Sequence, residues 1–375
     1  MAVFVCFSMD ILSRQEKISE RLRHSYGIFK RNPDQWYLRT LHYLHGSRLV
    51  AKTAFAVATI SFVSSIYYKI EAQLLQGTIF FCATYLGSCY LITLWVERRE
   101  TLQHISKNLI ITAEAIEARA NPKQLARMMG IAKVARLVAA VYYTDIALVC
   151  FLFEFLPVFQ GRLAAAMPLL PETRYSFWMM YSVEASVILC GLVSSVTFLV
   201  YYIEVCLCLA ILFSVLSEHF KTLSANKCNA NAFIEIHQKL LESSREVRNV
   251  FSFTWFVSLL LMILMLVVST YSLIMSNINP VMCPVVIVTC LVILLTPCVL
   301  GELVSSGSER VAWGVYCSGW IETQYDVRQA LLVTLLRSQR PACMVGGLLG
   351  KLVLSKYLDL LKEWYRLVQF LLSLK

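Results

Sequence analysis

The sequence predicts an all-α integral membrane protein with seven transmembrane helices, a cytoplasmic N-terminus, an extracellular C-terminus and an intracellular helical anchor. Three observations predict it. Of the 375 residues, 58% are apolar and only 15% are charged, with a mean hydropathy of +0.63. An average soluble domain carries roughly 25% charged residues. Apolar runs long enough to cross a bilayer, each about 20 residues or more, recur seven times. Lys and Arg lie almost wholly on one side of those runs, 25 in one set of connecting segments against four in the other. Basic residues near the membrane collect in cytoplasmic loops. The net charge of +10 therefore records topology and does not point to nucleic acid.

Four regions follow in chain order. Residues 1–48 form a cytoplasmic, polar and basic segment, with an amphipathic stretch around Trp36, Leu38, Leu41, Tyr43 and Leu44 suited to the inner membrane face. No cleavable signal peptide is expected, since Ala2 to Met9 is short, lacks a basic start and runs into Asp10. Residues 49–304 hold six spans: 49–68, 72–96, 132–156, 178 to about 216, 251–276 and 285–304. The charged segments 97–131 and 217–250 between them are helical in pattern. The fourth and fifth helices are therefore expected to continue past the membrane as a projecting hairpin. Residues 305–343 form an intracellular anchor, in which Val327, Ala330, Leu331 and Leu335 repeat at helical spacing. Residues 344–375 form the seventh span.

Other function classes fit poorly. The thirteen cysteines are mostly embedded in apolar runs and read as small buried hydrophobes, not as a disulfide framework. His42 and His45 have no acid or cysteine partner nearby and read as a surface pair. Metals and cofactors are not expected. No nucleophile elbow, zincin helix or glycine-rich phosphate loop is present, so the chain does not read as an enzyme. A G-protein-coupled receptor has the opposite topology. A secondary transporter needs paired, broken spans in matching positions.

The last span has one polar stripe. At ~100° per residue, Lys351, Lys356, Asp359, Lys362, Glu363, Arg366 and Gln369 fall within an arc of roughly 140°. The opposite side is apolar and aromatic, with Tyr357, Leu361, Trp364, Val368 and Leu371 among its members. A charge at the bilayer centre costs at least ~2.5–3.5 kcal/mol. The stripe must face water or protein, as a pore wall or as a tail lying on the membrane surface.

The C-terminal third resembles the insect odorant receptor family. The residues that carry the likeness are Gly319-Trp320, Leu331-Leu332, Arg337-Ser338-Gln339-Arg340-Pro341, Gly346-Gly347 and the terminal Leu371-Leu372-Ser373-Leu374-Lys375. The family often has a Tyr-Ser step in this helix, where Tyr365 is followed here by Arg366. The resemblance implies an odorant-gated, non-selective cation channel in the plasma membrane of sensory-neuron dendrites. It implies a heterotetramer in which an odorant-binding subunit assembles with a shared co-receptor around a pore lined by the last helix. The co-receptor carries a long inner insertion, and the short 217–250 segment here is like that of an odorant-binding subunit. A gustatory-type channel of the same architecture is the nearest alternative, but its Tyr-x5-Gln-Phe signature is not met.

The resemblance implies an apolar gate at Leu371 and Leu372 with a polar filter at Ser373. It also implies an anchor built on Trp320, Arg337, Gln339, Arg340 and Pro341. A small volatile ligand calls for an aromatic and aliphatic pocket with few polar groups. Residues of that chemistry at helical spacing in the outer half of the bundle are Phe81, Tyr85, Tyr142, Tyr143, Ile146, Cys150, Met179, Ser182, Val183, Ser186 and Tyr271. Asp145, Glu154, Glu184, Glu204 and Glu302 lie within spans. They should face the protein interior, paired with tyrosines or basic residues, with Glu302 near the cytoplasmic end and partly in water.

Overall fold

The computed structural model describes residues 17–27, 90, 94, 97–159, 174–223, 227–275 and 282–374. Of residues 24, 25, 27, 146, 147, 149–159, 174–195, 227–229, 275 and 282 it describes the backbone alone. The expected first span, most of the second and the amphipathic stretch around Trp36 lie outside the described residues. The described chain is helical: α1 (Ile18–Gly27), α2 (Arg99–Glu117), α3 (Pro122–Phe159), α4 (Arg174–Lys221), α5 (Lys227–Met275), α6 (Met282–Tyr316), α7 (Tyr325–Ser338) and α8 (Leu354–Ser373). Single 3-10 turns at Trp320–Glu322 and Gly347–Leu349 join the last three.

Helix length dictates the architecture. At 1.5 Å per residue, the 48 residues of α4 and 49 of α5 each extend about 70 Å, and the 35 of α6 about 50 Å. The hydrocarbon core is about 30 Å thick. All three helices must leave the membrane and find other cover. The sequence reading expects this of α4 and α5. It stopped the sixth span at Val304, whereas α6 runs on to Tyr316. Val304, Val311 and Val315 are fully buried there, so packing carries the helix past the end of its apolar run.

The hub is the second half of α4. From Val196 to Lys221 it is almost entirely enclosed, and Tyr201, Tyr202, Phe213 and Phe220 are fully buried. Tyr202 packs between Phe251 and Trp255 of α5. On the other side α6 lies along α4. Gly307 faces Ala210 and Gly314 faces Ser217, a step of seven on both helices, so the two run in the same direction. Ser217 closes the seam by donating from Oγ to the Arg310 carbonyl at 2.6 Å. A Cβ at Gly307 would stand 2.9 Å from the Ala210 carbonyl oxygen, and one at Gly314 would overlap that of Ser217.

The N-terminal helix α1 packs on the bundle. Ile18 and Leu22 of α1 are buried against the bundle. Glu117, at the end of α2, accepts from the Ser19 backbone N–H at 3.0 Å and from its Oγ at 2.6 Å. An acid supplied from another helix thus satisfies a donor at the α1 N-terminus, where negative charge is favoured. Arg23 pairs with Glu114 at the exposed rim. Arg21 reaches inward to the buried Glu204 of α4.

On the far side α7 packs on α5 through a buried polar contact. Ser338 Oγ donates to the Thr334 carbonyl at 2.7 Å, so its lone pair is left to accept from His237 Nε2 at 3.3 Å. Burial, with Arg337 nearby, lowers the His237 pKa to about 4. The fold therefore refuses a proton that the unfolded chain takes up below its ordinary pKa of 6.5. Stability should fall as pH drops from that value toward 4 and lose nothing further from this group below it. Thermal unfolding in detergent should show a smaller loss between pH 7 and pH 4.5 for His237→Gln than for the parent, the group accounting for up to about 3 kcal/mol.

The α4–α6 seam gives a second expectation. Gly314→Ala should destabilise the protein by about 1–3 kcal/mol, because two backbones must separate. Gly130→Ala in α3 meets nothing within 4 Å and should be neutral or slightly stabilising. Melting temperatures of the two variants check both.

Candidate functional site

The terminal helix is shorter than the apolar run that encodes it. Expected from Met344, it begins at Leu354 and ends at Ser373. The ten residues before it fold as a tight, docked turn. Val345 and Lys351 form an antiparallel bridge, Gly346 N–H donates to the Gly350 carbonyl at 2.9 Å, and Leu352 N–H to Met344 at 3.0 Å. The turn is held from outside as well. Gly347 N–H donates to Ser252 Oγ of α5 at 3.1 Å, and Ala342 N–H to Ser308 Oγ of α6 at 3.1 Å. Gly347 and Gly350 have φ of 53° and 81°, where side chains are strained, so this segment cannot continue a helix. Lys351 thus lies before the helix and not on its stripe, which corrects the sequence expectation.

The 20 residues of α8 span about 30 Å, one hydrocarbon thickness. Its faces number three. Tyr357, Leu361, Trp364, Val368 and Leu371 turn toward the bundle. Trp364 Nε1 pins the helix by donating to Thr270 Oγ1 of α5 at 3.0 Å. Leu358, Tyr365 and Leu372, seven apart, are exposed apolar residues, Leu372 at 56%. The polar stripe of Lys356, Asp359, Lys362, Glu363, Arg366 and Gln369 is exposed throughout. Within it Lys362 pairs with Asp359 at 3.8 Å and Arg366 with Glu363 at 2.6 Å. At the end of the helix Leu371 is buried in its own subunit, while Leu372 and Ser373 are exposed. Leu371 therefore presents nothing to a neighbour, and of the two leucines only Leu372 is placed to do so.

In the expected pocket region, α3 is tied to α6. Tyr142 is buried and hydrogen-bonds Thr296, and Asp145 accepts from Thr289 Oγ1 at 3.2 Å. Tyr143 turns instead toward α4, bonding Thr197 beside Glu204 and Arg21. Tyr271 is 53% exposed and points away from the interior, so it does not line an internal cavity of this chain. Phe81 and Tyr85 lie outside the described residues. Ile146 and Cys150 on α3, and Met179, Ser182, Val183 and Ser186 on α4, sit on described backbone whose side chains are not described; the same holds for Glu154 and Glu184.

The anchor motif ends α7. Gln339 caps the helix, Arg337 Nη1 donates to the Arg340 carbonyl at 2.8 Å, and Pro341 follows, where no helix can continue. Gln339 and Arg340 are exposed, and Trp320 is half-buried against the core.

The sequence profile of the 7tm odorant receptors matches residues 72–365. The chain belongs to the 7tm odorant receptor family. The odorant receptor fold is also that of solved relatives. A structure of the insect olfactory receptor OR5 from Machilis hrabei in complex with eugenol superposes with a TM-score of 0.78 at 14% identity, covering 95% of this chain and 98% of that one. A second structure of the insect olfactory receptor OR5 from Machilis hrabei gives 0.77 at 14% identity, covering 95% of this chain and 97% of that one. Comparison with curated proteins gives no match.

Sequence reading of this odorant receptor missed Thr289 and Thr296, because threonine is common in spans and its partner is set by helix rotation. Asp145 and Glu204 were the available signals. As acids inside apolar runs, both required interior partners. Glu302, at the end of the sixth run, is exposed.

Gly350 offers a clean test of the turn. At φ 81° and ψ −150° it occupies a region open essentially to glycine alone, yet an added Cβ meets nothing within 4 Å. Gly350→Ala should cost about 1–3 kcal/mol through backbone strain alone. A melting temperature equal to that of the parent would show that the turn is not held in this conformation.

Proposed function

We propose that the chain is the odorant-binding subunit of an odorant-gated, non-selective cation channel in the plasma membrane. It assembles with co-receptor subunits into a heterotetramer whose pore is lined in part by α8. A small volatile organic ligand binds in the outer half of the bundle, among the candidate residues of the second to fifth spans that include Tyr142 on α3. The observation that carries this reading is the exposed polar stripe of α8. A helix one membrane thick, with six polar residues on its outward face, needs a wet or polar surrounding that lipid does not supply.

Two further features support it. The charged end of the bundle shows exposed apolar residues that one chain does not cover. Trp313 and Tyr316 on α6, Ile321, and Tyr325 and Val333 at or on α7 are all exposed by 60% or more. In an aqueous compartment such a patch marks a protein interface. The superposed OR5 receptor is bound to eugenol, a small volatile ligand, in one of its structures. The N-terminal helix and the anchor are placed in the cytoplasm, as the distribution of Lys and Arg requires. Leu372 and Ser373 are placed at the outer end of the pore, as apolar gate and polar filter.

The test is functional expression in oocytes with and without the co-receptor. Odorant-evoked current carried by cations, present only in the pair, is expected. Saturable uptake without current would favour a transporter. Within the active pair, Leu372 variants should change opening and Ser373 variants single-channel conductance. Unchanged gating and permeation in both sets would remove these residues from the pore.

A further inference from the structure

The charges of α8 are not evenly balanced along its length. Both acids of the stripe are spent within the helix, Asp359 on Lys362 and Glu363 on Arg366. The start of the helix carries only positive charge. Lys351, in the bridged turn, and Lys356, in the first turn, are exposed and form no ion pair among the described residues. The first turn of α8 contains no acid, and its N-cap, Val353, supplies no side-chain hydrogen bond. A helix N-terminus itself carries roughly half a positive charge and is stabilised by acids. Here two lysines stand where helix stability favours the opposite sign. The contrast with α1 is direct, since the N-terminus of α1 is met by Glu117.

We propose that Lys351 and Lys356 form a fixed positive charge at the inner mouth of the conduction path, which depletes cations there and makes the channel pass inward current more readily than outward. The inference rests on the reading of α8 as a pore-lining helix that starts at the cytoplasmic side. In water a unit charge and a monovalent cation about 8 Å apart interact by about 0.5 kcal/mol without salt, which changes the local cation concentration about twofold, and by roughly a third of that at physiological ionic strength. The effect falls on the compartment nearest the charge. Cations entering from the cytoplasm are depleted and those entering from outside are not, so outward current is reduced. Salt screens the effect over about 8 Å at physiological ionic strength.

The experiment uses the full chain co-expressed with the co-receptor. Current–voltage curves are recorded in symmetrical salt, from inside-out patches, with the most effective member of a panel of volatile phenols, aliphatic esters and monoterpenes. Lys351→Gln and Lys356→Gln should each raise the outward-to-inward current ratio by about 1.4-fold at physiological salt and by up to about twofold at low salt. Lys356→Glu should raise it further, and Lys356→Arg should leave it at the parental value. Raising cytoplasmic KCl should shrink the differences between variants. Both side chains are exposed, so folding and ligand sensitivity should be unchanged. Robust evoked currents with the same ratio in all variants would overturn the inference and leave the channel reading standing. A parent pair that carries no evoked cation current under any ligand of the panel, with both chains at the surface, counts against the channel reading and removes this inference with it.

Discussion

A membrane about 30 Å thick cannot cover helices of 48 and 49 residues. Everything beyond the bilayer must bury its apolar surface against protein or remain in water. In this chain the overhang of α4 becomes the hub of a second packed unit. α1, α2, α3, α5 and α6 pack against this helix, in which Tyr201, Phe213 and Phe220 are fully buried, while α7 packs on α5 and α6. The membrane part and the projecting part are therefore one continuous set of helices.

Close approach makes that continuity stiff. Glycines at 307 and 314 let α6 lie against the α4 backbone, and Gly301 brings α6 onto the Leu352 carbonyl just before the terminal helix. The same α6 supplies Ser308 to the turn, and α5 supplies Ser252. The base of α8 is thus held by both α5 and α6. Midway along α8, Trp364 adds a bond to Thr270 of α5. The polar stripe has a defined rotation because its opposite face is held at both levels. The Arg21–Glu204 pair plays a comparable part for α1. It closes a buried acid on α4 with a base from a segment far away in sequence. Removing one partner of such a pair leaves a buried charge uncompensated, which is why it fixes the position of α1.

How much was legible in the sequence follows from what each signal measures. The apolar runs and the asymmetry of Lys and Arg are one-dimensional properties. They yielded an all-α membrane protein, and projecting fourth and fifth helices, before any contact was known. The polar face of α8 from Lys356 to Gln369 was equally legible, since helical spacing alone puts those residues together. The motif around Arg337 to Pro341 was legible because proline ends helices by local chemistry. The pocket was less so. An aromatic at helical spacing shows which side of a helix is apolar and does not show which neighbour it meets. Tyr142 went to Thr296 and Tyr271 turned outward.

The sequence by itself determined the class of protein, the helices and the presence of one polar stripe. All of these depend on composition and local period. The tertiary structure decided where the stripe begins and which apolar residues flank it. Met344 to Val353 is apolar enough to extend the last helix, yet two glycines at positive φ and two serine anchors fold it into a turn. That places Lys351 off the helix. Packing also divided the apolar side of α8 in two, burying Leu371 and leaving Leu372 exposed. Period separates polar from apolar. Only the neighbouring helices decide which apolar residues are covered, because that depends on contacts between segments distant in sequence.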